Sequence, residues 1–140
     1  MRIVYVLGVV ALAAVTVAAQ QKQERAGITN FTKVDAVVAC GGATDISALD
    51  GLKQEGFKTV INLRMASEQG VNLDENKAKA AALGLNYVHI PFSGSAPDPK
   101  SVDQFLATIA DKANQPVFIH CASASRVGAM WMVKRTLQDG

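Results

Sequence analysis

The sequence predicts an α/β fold, a single domain with a mostly parallel central sheet flanked by helices. Short apolar runs alternate along the chain with amphipathic helical patterns, which is typical of successive β-α-β units. The apolar runs are nearly continuous, as expected for strands that helices cover on both faces. The 140 residues are enough for one domain with a hydrophobic core, and we find neither an internal repeat nor a second domain.

The composition excludes two classes of protein. Apolar residues make up 49% of the chain and charged residues 19%, which favours a folded domain over a disordered one. The formal net charge is only +2, and the sequence has no basic stripe or run of like charges. We therefore expect no nucleic-acid partner.

The N-terminus resembles a secretory signal peptide. After Met1-Arg2, residues 3–19 carry no charge and end with the small residues Val17-Ala18-Ala19. We predict a cleaved signal at 1–19, a polar tether at 20–30 and the folded domain at 31–140. The mature protein would be exported, periplasmic or secreted, without stable membrane insertion. The alternative is an uncleaved anchor helix, but the run has the minimum length for one and is rich in Ala and Gly.

Each element has its own pattern. Apolar runs predict strands at 36–39, 59–63, 86–90 and 117–120. Helical spacing and capping residues predict helices at 45–55 with Thr44 as cap, from Asn72 to Gly84, from Asp98-Pro99 onward, and at 126–137. The carboxyl ends of parallel strands share one edge of a sheet, so Arg64, the loop after Ile90 and the loop after Cys121 should lie together.

The segment 116–128 carries the most specific chemistry of the chain. An apolar strand ends at His120-Cys121, four small residues follow, and Arg126 begins a helix. A helix N-terminus and a nearby Arg favour a thiolate at Cys121, and the loop N–H groups can bind an oxyanion. Arg126 can add a bidentate clamp on the same anion. The predicted phosphate-binding residues are Ala122, Ser123, Ala124, Ser125 and Arg126.

Several neighbouring residues have two interpretations each. Cys121 is either the nucleophile or a buried core thiol, and His120 either supports the loop or simply packs. Cys40 is either a small buried thiol or a partner for Cys121 in a disulfide. Arg64 either attracts anions or pairs with Glu68. The His and Cys spacing does not fit a zinc site, and no metal or organic cofactor is implied.

These motifs resemble the cysteine-phosphatase superfamily, and more narrowly the bacterial phosphatase-like family named after beta-lactamase hydrolase-like proteins, of DUF442 type. The resemblance rests on residues 60–64, 89–91, 116–121 and 126–128, and it spans roughly Phe31 to the C-terminus. It implies a cysteine-phosphatase-like fold with Cys121 as nucleophile, Arg126 as phosphate clamp and residues 122–125 as the phosphate-binding loop.

The chain departs from the phosphatase pattern at several positions. Four residues separate Cys121 from Arg126, whereas tyrosine and dual-specificity phosphatases have five and rhodanese-type sulfurtransferases often have this shorter loop. Ala124 replaces a Gly and must avoid or tolerate a positive φ. Val127 replaces the hydroxyl residue that helps to hydrolyse the phosphocysteine. Asp98 is the nearest candidate for the general acid, although capping a helix already explains its presence.

The leading function is therefore hydrolysis of phosphate monoesters through a cysteinyl-phosphate intermediate, with a phosphorylated protein or small molecule as substrate. Activity is expected to be weak if the general acid is absent. Two alternatives remain: a sulfurtransferase that carries a persulfide on Cys121, and a non-catalytic oxyanion-binding module. The sequence does not indicate an oligomeric state.

Overall fold

The computed structural model describes residues 21–140. Its strands are β1 (Gln21–Lys22), β2 (Thr32–Lys33), β3 (Val38–Gly41), β4 (Thr59–Asn62), β5 (Asn86–His89) and β6 (Val117–His120). Its helices are α1 (Ala48–Gln54), α2 (Leu73–Ala82), α3 (Pro99–Ala110) and α4 (Ser125–Gln138), with a 3₁₀ turn at Lys112–Asn114. The predicted signal peptide lies outside the described residues. Within residues 21–140, no helix is both long and apolar enough to span a bilayer.

The six strands form one sheet in the order β1-β2-β3-β6-β4-β5. Strands β3, β6, β4 and β5 are parallel to one another, whereas β1 and β2 pair antiparallel at one edge of the sheet. Strand β6 is central, because Val117 is the register partner of Val38 in β3 and of Thr59 in β4. The prediction of a mostly parallel α/β sheet is confirmed.

Helices cover both faces of this sheet. One core contains Leu49 and Leu52 of α1 and Ala80 of α2, and the other contains Phe105 of α3 and Met130 of α4. Alternate residues of a strand point to opposite faces, so β6 sends Phe118 into the first core and Ile119 into the second. All four residues of β4 and of β6 are buried, which explains why these strands read as continuous apolar runs.

Capping residues set the helix boundaries much as predicted. The Asn72 side chain accepts the Glu75 N–H at 3.2 Å and donates to the Glu75 carboxylate at 3.0 Å, a variant of the capping box at the start of α2 in which Glu75 bonds the side-chain amide and not the backbone N–H. Asp98 is the N-cap of α3 and accepts the Lys100 N–H at 3.0 Å. Both residues satisfy backbone N–H groups that the first helical turn leaves unpaired.

The segment before β2 differs from the predicted polar tether. It contributes β1, and Ile28 within it is buried in the core beside α1. The Gly27 carbonyl accepts the Asp45 N–H at 2.7 Å, and Ile28 forms a β-bridge with Thr44. This pairing keeps residues 44 and 45 out of a helix, so α1 begins at Ala48 and Thr44 does not cap it.

Candidate active site

The loops that follow β3, β4, β5 and β6 lie side by side at the carboxyl edge of the sheet. Cys121 is the first residue after β6, the strand between β3 and β4. Its N–H donates to the Gly41 carbonyl at 3.3 Å, and the Leu63 N–H donates to the His120 carbonyl at 2.9 Å. Hydrogen bonds thus hold β6 to both neighbours up to the residue where the loop begins.

The loop at 122–125 turns the chain from β6 into α4. The Ala124 N–H donates to Cys121 Sγ at 3.1 Å, so one loop amide already points at the sulfur. The Ser123 and Ser125 hydroxyls hydrogen-bond to each other at 3.0 Å. Five N–H groups of this loop and the first turn of α4 have no hydrogen-bond acceptor within residues 21–140: those of Ala122, Ser123, Ser125, Arg126 and Val127. Free N–H groups at a helix N-terminus favour an anion, and here they adjoin a thiol.

Ala124 takes the left-handed conformation that the phosphatase pattern normally assigns to glycine. Its φ is +75° and its ψ is −5°, immediately before α4. The sequence left open whether this alanine avoids a positive φ or tolerates it, and in the structure it adopts a positive φ. An L-residue in this region costs roughly 1–2 kcal/mol, so surrounding contacts must hold the loop in shape.

The loop after β3 and the segment before β2 supply some of these contacts. The Ala43 N–H donates to the Ala122 carbonyl at 2.7 Å, and Asn30 Nδ2 donates to the Ser123 carbonyl at 3.4 Å. Gly42 allows this close approach, because a Cβ there would lie 2.9 Å from the Ala122 carbonyl oxygen. The contacts of Asn30 and Gly42 with this loop were not predicted from the sequence. The Gly41-Gly42 pair after a strand was the one sign that another backbone segment approaches closely there.

Arg126 is held by the carboxylate of Glu68, which was not among the predicted site residues. Nη1 donates to Glu68 Oε1 at 2.6 Å and Nη2 donates to Glu68 Oε2 at 2.9 Å. Arg64 Nε donates to the same carboxylate at 3.2 Å. Arg64 thus pairs with Glu68, one of its two predicted interpretations, and through Glu68 it adjoins Arg126.

The ion pair keeps both of its members charged. The hydrogen bond from Arg126 lowers the pKa of Glu68 to about 2, against an opposing effect of partial burial. The hydrogen bond to Glu68 raises the pKa of Arg126, and the nearby Cys121 sulfur adds to that effect. Glu68 is therefore ionised at neutral pH and is not a general acid in this arrangement.

Cys121 is completely buried in this structure, with 0% relative exposure. It packs in the same apolar cluster as Ile119 and Val127, and Arg126 and the Ala124 N–H approach its sulfur. The two interpretations of Cys121 were alternatives, and the structure has features of each: the sulfur is buried like a core thiol and has polar donors beside it. A substrate must displace part of the loop or the Arg126 side chain to reach this atom.

His120 lies on the opposite face of the sheet from Cys121. Its ring stacks on Phe118, with 5.9 Å between ring centroids and 12° between the planes, and it is 4% exposed. Burial, followed by the charge of Arg64, lowers the pKa of His120 to about 4, although the adjacent Cys121 backbone opposes this. The ring is therefore neutral at neutral pH and packs on Phe118, and its buried Nδ1 has no hydrogen-bond partner among residues 21–140.

Asp98 and His89 are two further polar residues near the site, and both have structural partners. Asp98 is exposed and caps α3, as described above. His89 Nε2 forms a 2.7 Å hydrogen bond with the Arg64 carbonyl, so it helps to fix the loop after β4. Among the described residues, no three His, Cys, Asp or Glu side chains gather as metal ligands.

The two cysteines are free thiols on adjacent strands. Cys40 is half-buried at the end of β3 opposite Ile119, two residues before Cys121. Burial and, to a lesser extent, the nearby Cys121 raise the pKa of Cys40. The thiols are neighbours, as one interpretation required, but no disulfide joins them in this structure.

Comparison with known proteins places this site in a phosphatase setting. A family model described as DSP-PTPase phosphatase fused to NAD+ kinase matches residues 9–138. The "Beta-lactamase hydrolase-like protein" of Agrobacterium fabrum is 31% identical over 111 residues, which are 77% of this chain. The chain spans only about a quarter of that relative, since the match covers 25% of its length.

Solved structures agree with the family match. A DUF442 protein from Shewanella putrefaciens CN-32 superposes with a TM-score of 0.72 at 25% identity, over 81% of this chain and 72% of the other. The catalytic domain of the PP-IP phosphatase Siw14 from S. cerevisiae has a TM-score of 0.66 at 20% identity, over 81% and 69% of the two chains, and shares the fold. Because the family model covers nearly all of it, the chain belongs to the cysteine-phosphatase-like family of DSP-PTPase phosphatases fused to NAD+ kinase, and it is similar to DUF442 proteins.

Proposed function

We propose that this phosphatase-family domain hydrolyses phosphate monoesters in two steps, with Cys121 as the nucleophile. In the first step, the Sγ thiolate attacks phosphorus and the bond between phosphorus and the leaving oxygen breaks, giving a phosphocysteine and a leaving group. The leaving oxygen takes its proton from Asp98, the proposed general acid, or from water. In the second step, water attacks phosphorus, the S–P bond breaks, and inorganic phosphate departs as the thiolate re-forms.

One observation carries the proposal: Cys121 Sγ, the unpaired loop N–H groups and the Arg126 guanidinium meet at the N-terminus of α4. A phosphoryl group in transfer spreads negative charge over its equatorial oxygens, and fixed donors around them stabilise that charge. The loop amides and Arg126 are donors of this kind, and the sulfur lies beside them.

Burial of Cys121 implies a small rearrangement before the attack. The hydrogen bond from Ala124 N–H to Sγ is the nearest contact to break, because the same N–H could then donate to a phosphate oxygen. The oxyanion would thus replace the sulfur as the acceptor of this amide. The loop residues Ala122 and Ser123 are exposed, so the movement need not disturb the core.

Two features favour slow turnover and activated substrates. Asp98 is the proposed general acid, but it is exposed and already caps α3. Val127 is 2% exposed and has no hydroxyl to assist the water in the second step. Aryl phosphates, whose leaving groups need little protonation, are therefore the substrates on which activity should be easiest to detect.

The test is hydrolysis of p-nitrophenyl phosphate under reducing conditions. Wild type should release nitrophenol, and Cys121→Ser should abolish the release because a serine hydroxyl is not ionised at neutral pH. Cys40→Ser is the matched control, because it makes the same chemical change on the neighbouring strand outside the proposed machinery and should leave the rate unchanged. Equal rates for wild type and Cys121→Ser would refute the mechanism.

The four-residue loop gives one rival function a specific basis. A rhodanese-like sulfurtransferase would take the outer sulfur of thiosulfate onto Cys121 as a persulfide, release sulfite, and then pass that sulfur to cyanide as thiocyanate. Thiocyanate formation without phosphate release would replace the phosphatase proposal with this one. Oxyanion binding without either reaction would leave a non-catalytic binding module.

A further inference from the structure

Four helices begin at the carboxyl edge of the sheet, and their N-termini differ in charge. Asp98 is the N-cap of α3, and α2 has Asp74 and Glu75 in its first turn. The first turn of α1 contains Asp50. Carboxylates at these positions offset the positive end of a helix dipole. Helix α4 has Ala124 as its N-cap and no acidic residue in its first turn, so within residues 21–140 its N-terminus alone is left positive for an outside anion.

The loop after β3 adds a carboxylate beside the loop at 122–125. Asp45 is exposed and follows Ala43 by two residues, and the Ala43 N–H donates to the Ala122 carbonyl at 2.7 Å. Two residues of chain span at most about 7 Å, so Asp45 lies near the oxyanion site. The Asp45 side chain forms no ion pair among residues 21–140. Its negative charge therefore acts on whatever approaches that site.

The two arginines beside the site are already partnered. Arg126 and Arg64 lie 2.6 Å and 3.2 Å from the Glu68 carboxylate, so the three side chains together carry one net positive charge. A phosphoryl group bound by Arg126 takes up that charge. In the loops after β3 to β6 and the first turns of the helices that follow them, Lys100 is the other cation, and carboxylates outnumber it. These segments therefore provide no cluster of cations for a second phosphate.

Three carboxylates around the site form what we call the acidic rim: Asp45, Asp74 and Glu75. A second phosphate or a carboxylate next to the reacting phosphate is repelled by the acidic rim, whereas a lysine or arginine there is attracted to it. Exposed charges act over about 30 Å at 0.01 M salt but only about 3 Å at 1 M salt. The acidic rim should therefore influence which substrates reach Cys121 at low salt, and high salt should remove that influence.

We propose that the substrate carries one phosphoryl group on a carrier that is neutral or cationic beside it, and that polyphosphorylated or acidic carriers are disfavoured. The inference rests on the proposed function, because the same site would bind and hydrolyse that phosphoryl group. It is nevertheless separable from the proposed function, since attack by Cys121 does not depend on the charge of the carrier. The acidic rim acts on encounter and binding, so it should change kcat/KM and leave kcat nearly constant.

Two phosphotyrosine peptides of equal length test this selection, one with Lys and the other with Glu on both sides of the phosphotyrosine. At about 0.01 M salt, wild type should hydrolyse the Lys peptide with a kcat/KM about tenfold or more above that for the Glu peptide. At about 1 M salt the ratio should fall to about twofold or less, because the acidic rim is then screened.

A charge reversal assigns the preference to the acidic rim. Asp45→Lys should lower the low-salt ratio of the two kcat/KM values about threefold or more. Asp139→Lys is the matched control, because it makes the same charge change beyond the C-terminal end of α4, whose 14 residues place it about 20 Å from the site. It should leave the ratio unchanged. If Asp45→Lys does not fold, Asp45→Asn removes the single negative charge and should lower the ratio about twofold.

Equal kcat/KM values for the two peptides at low salt, or a preference for the Glu peptide, would overturn the charge selection and leave hydrolysis by Cys121 intact. Equal effects of Asp139→Lys and Asp45→Lys would overturn the assignment to the acidic rim. If wild type hydrolyses neither peptide nor p-nitrophenyl phosphate, the proposed hydrolysis is refuted, and peptide affinities measured by calorimetry test the charge selection with the same expected ratio. Wild type that binds neither peptide would overturn both proposals.

Discussion

Asp98 has two candidate roles, as the N-cap of α3 and as the general acid. Its carboxylate caps α3 by accepting the Lys100 N–H, and it is the first acidic residue after the Pro91 turn beside the site. Asparagine caps a helix about as well as aspartate but cannot donate a carboxylic proton. Replacing the residue by asparagine therefore separates the two roles.

Asp98→Asn should preserve stability and lower the rate on substrates with poor leaving groups by about 10²-fold or more, with little effect on p-nitrophenyl phosphate. Asp111→Asn is the control, since Asp111 caps the 3₁₀ turn in the same manner, accepting the Ala113 N–H at 2.9 Å. Rates on alkyl and aryl phosphates would be compared for each variant. An equal loss on both substrates, or none on either, would remove Asp98 from the mechanism.

Residues of the site differ in how far the sequence could predict them. Cys121 and Arg126 belong to one short segment, so their proximity follows from local structure. Glu68 lies 58 residues from Arg126, and only the adjacency of β4 and β6 brings the two loops together. From the sequence alone Glu68 was a partner for Arg64 only, because the local pattern contains no strand order that would place it beside α4.

The backbone strain of the loop before α4 is located at Ala124, and a substitution there can test this assignment. Ala124 has a φ of +75°, a region where glycine is not penalised. Ala124→Gly should therefore raise the free energy of unfolding by about 0.5–1 kcal/mol, the relief of strain less the extra chain entropy of glycine. Urea denaturation of the two proteins measures the difference.

Ala129→Gly provides the opposite control, because Ala129 is an exposed interior residue of α4 with ordinary helical geometry. The same chemical change there should lower the free energy of unfolding by about 1 kcal/mol. Destabilisation of similar size at both positions would contradict the assignment of strain to Ala124.

Secondary structure was predictable where a local pattern sufficed. The capping box of α2 and the Asp98-Pro99 start of α3 define those helices within a few residues of sequence. The two-residue strands β1 and β2 carry no such pattern, since they exist only through pairing with each other and with β3. Long-range pairing of residues 27–28 with residues 44–45 also moves the start of α1 to Ala48, which local capping signals could not indicate.

At the scale of the whole molecule, the strand order explains why the candidate site residues lie at one edge of the sheet. Parallel strands place their following loops at one edge, and the central position of β6 brings Cys121 between the Gly42 loop and the loop that holds Glu68. The strand–helix alternation was sufficient to predict this edge. The detailed pairing of Arg126 was not, because it depends on strand order and side-chain geometry.

The central claim is that the Cys121 sulfur accepts a phosphoryl group, and trapping that intermediate tests it most directly. Wild-type protein would be mixed with p-nitrophenyl phosphate, quenched in acid within the first turnover, digested and examined by mass spectrometry. We expect one phosphoryl group on the peptide that contains Cys121 and none on that peptide from Cys121→Ser. Nitrophenol release during the same interval with an unmodified Cys121 peptide would contradict the account.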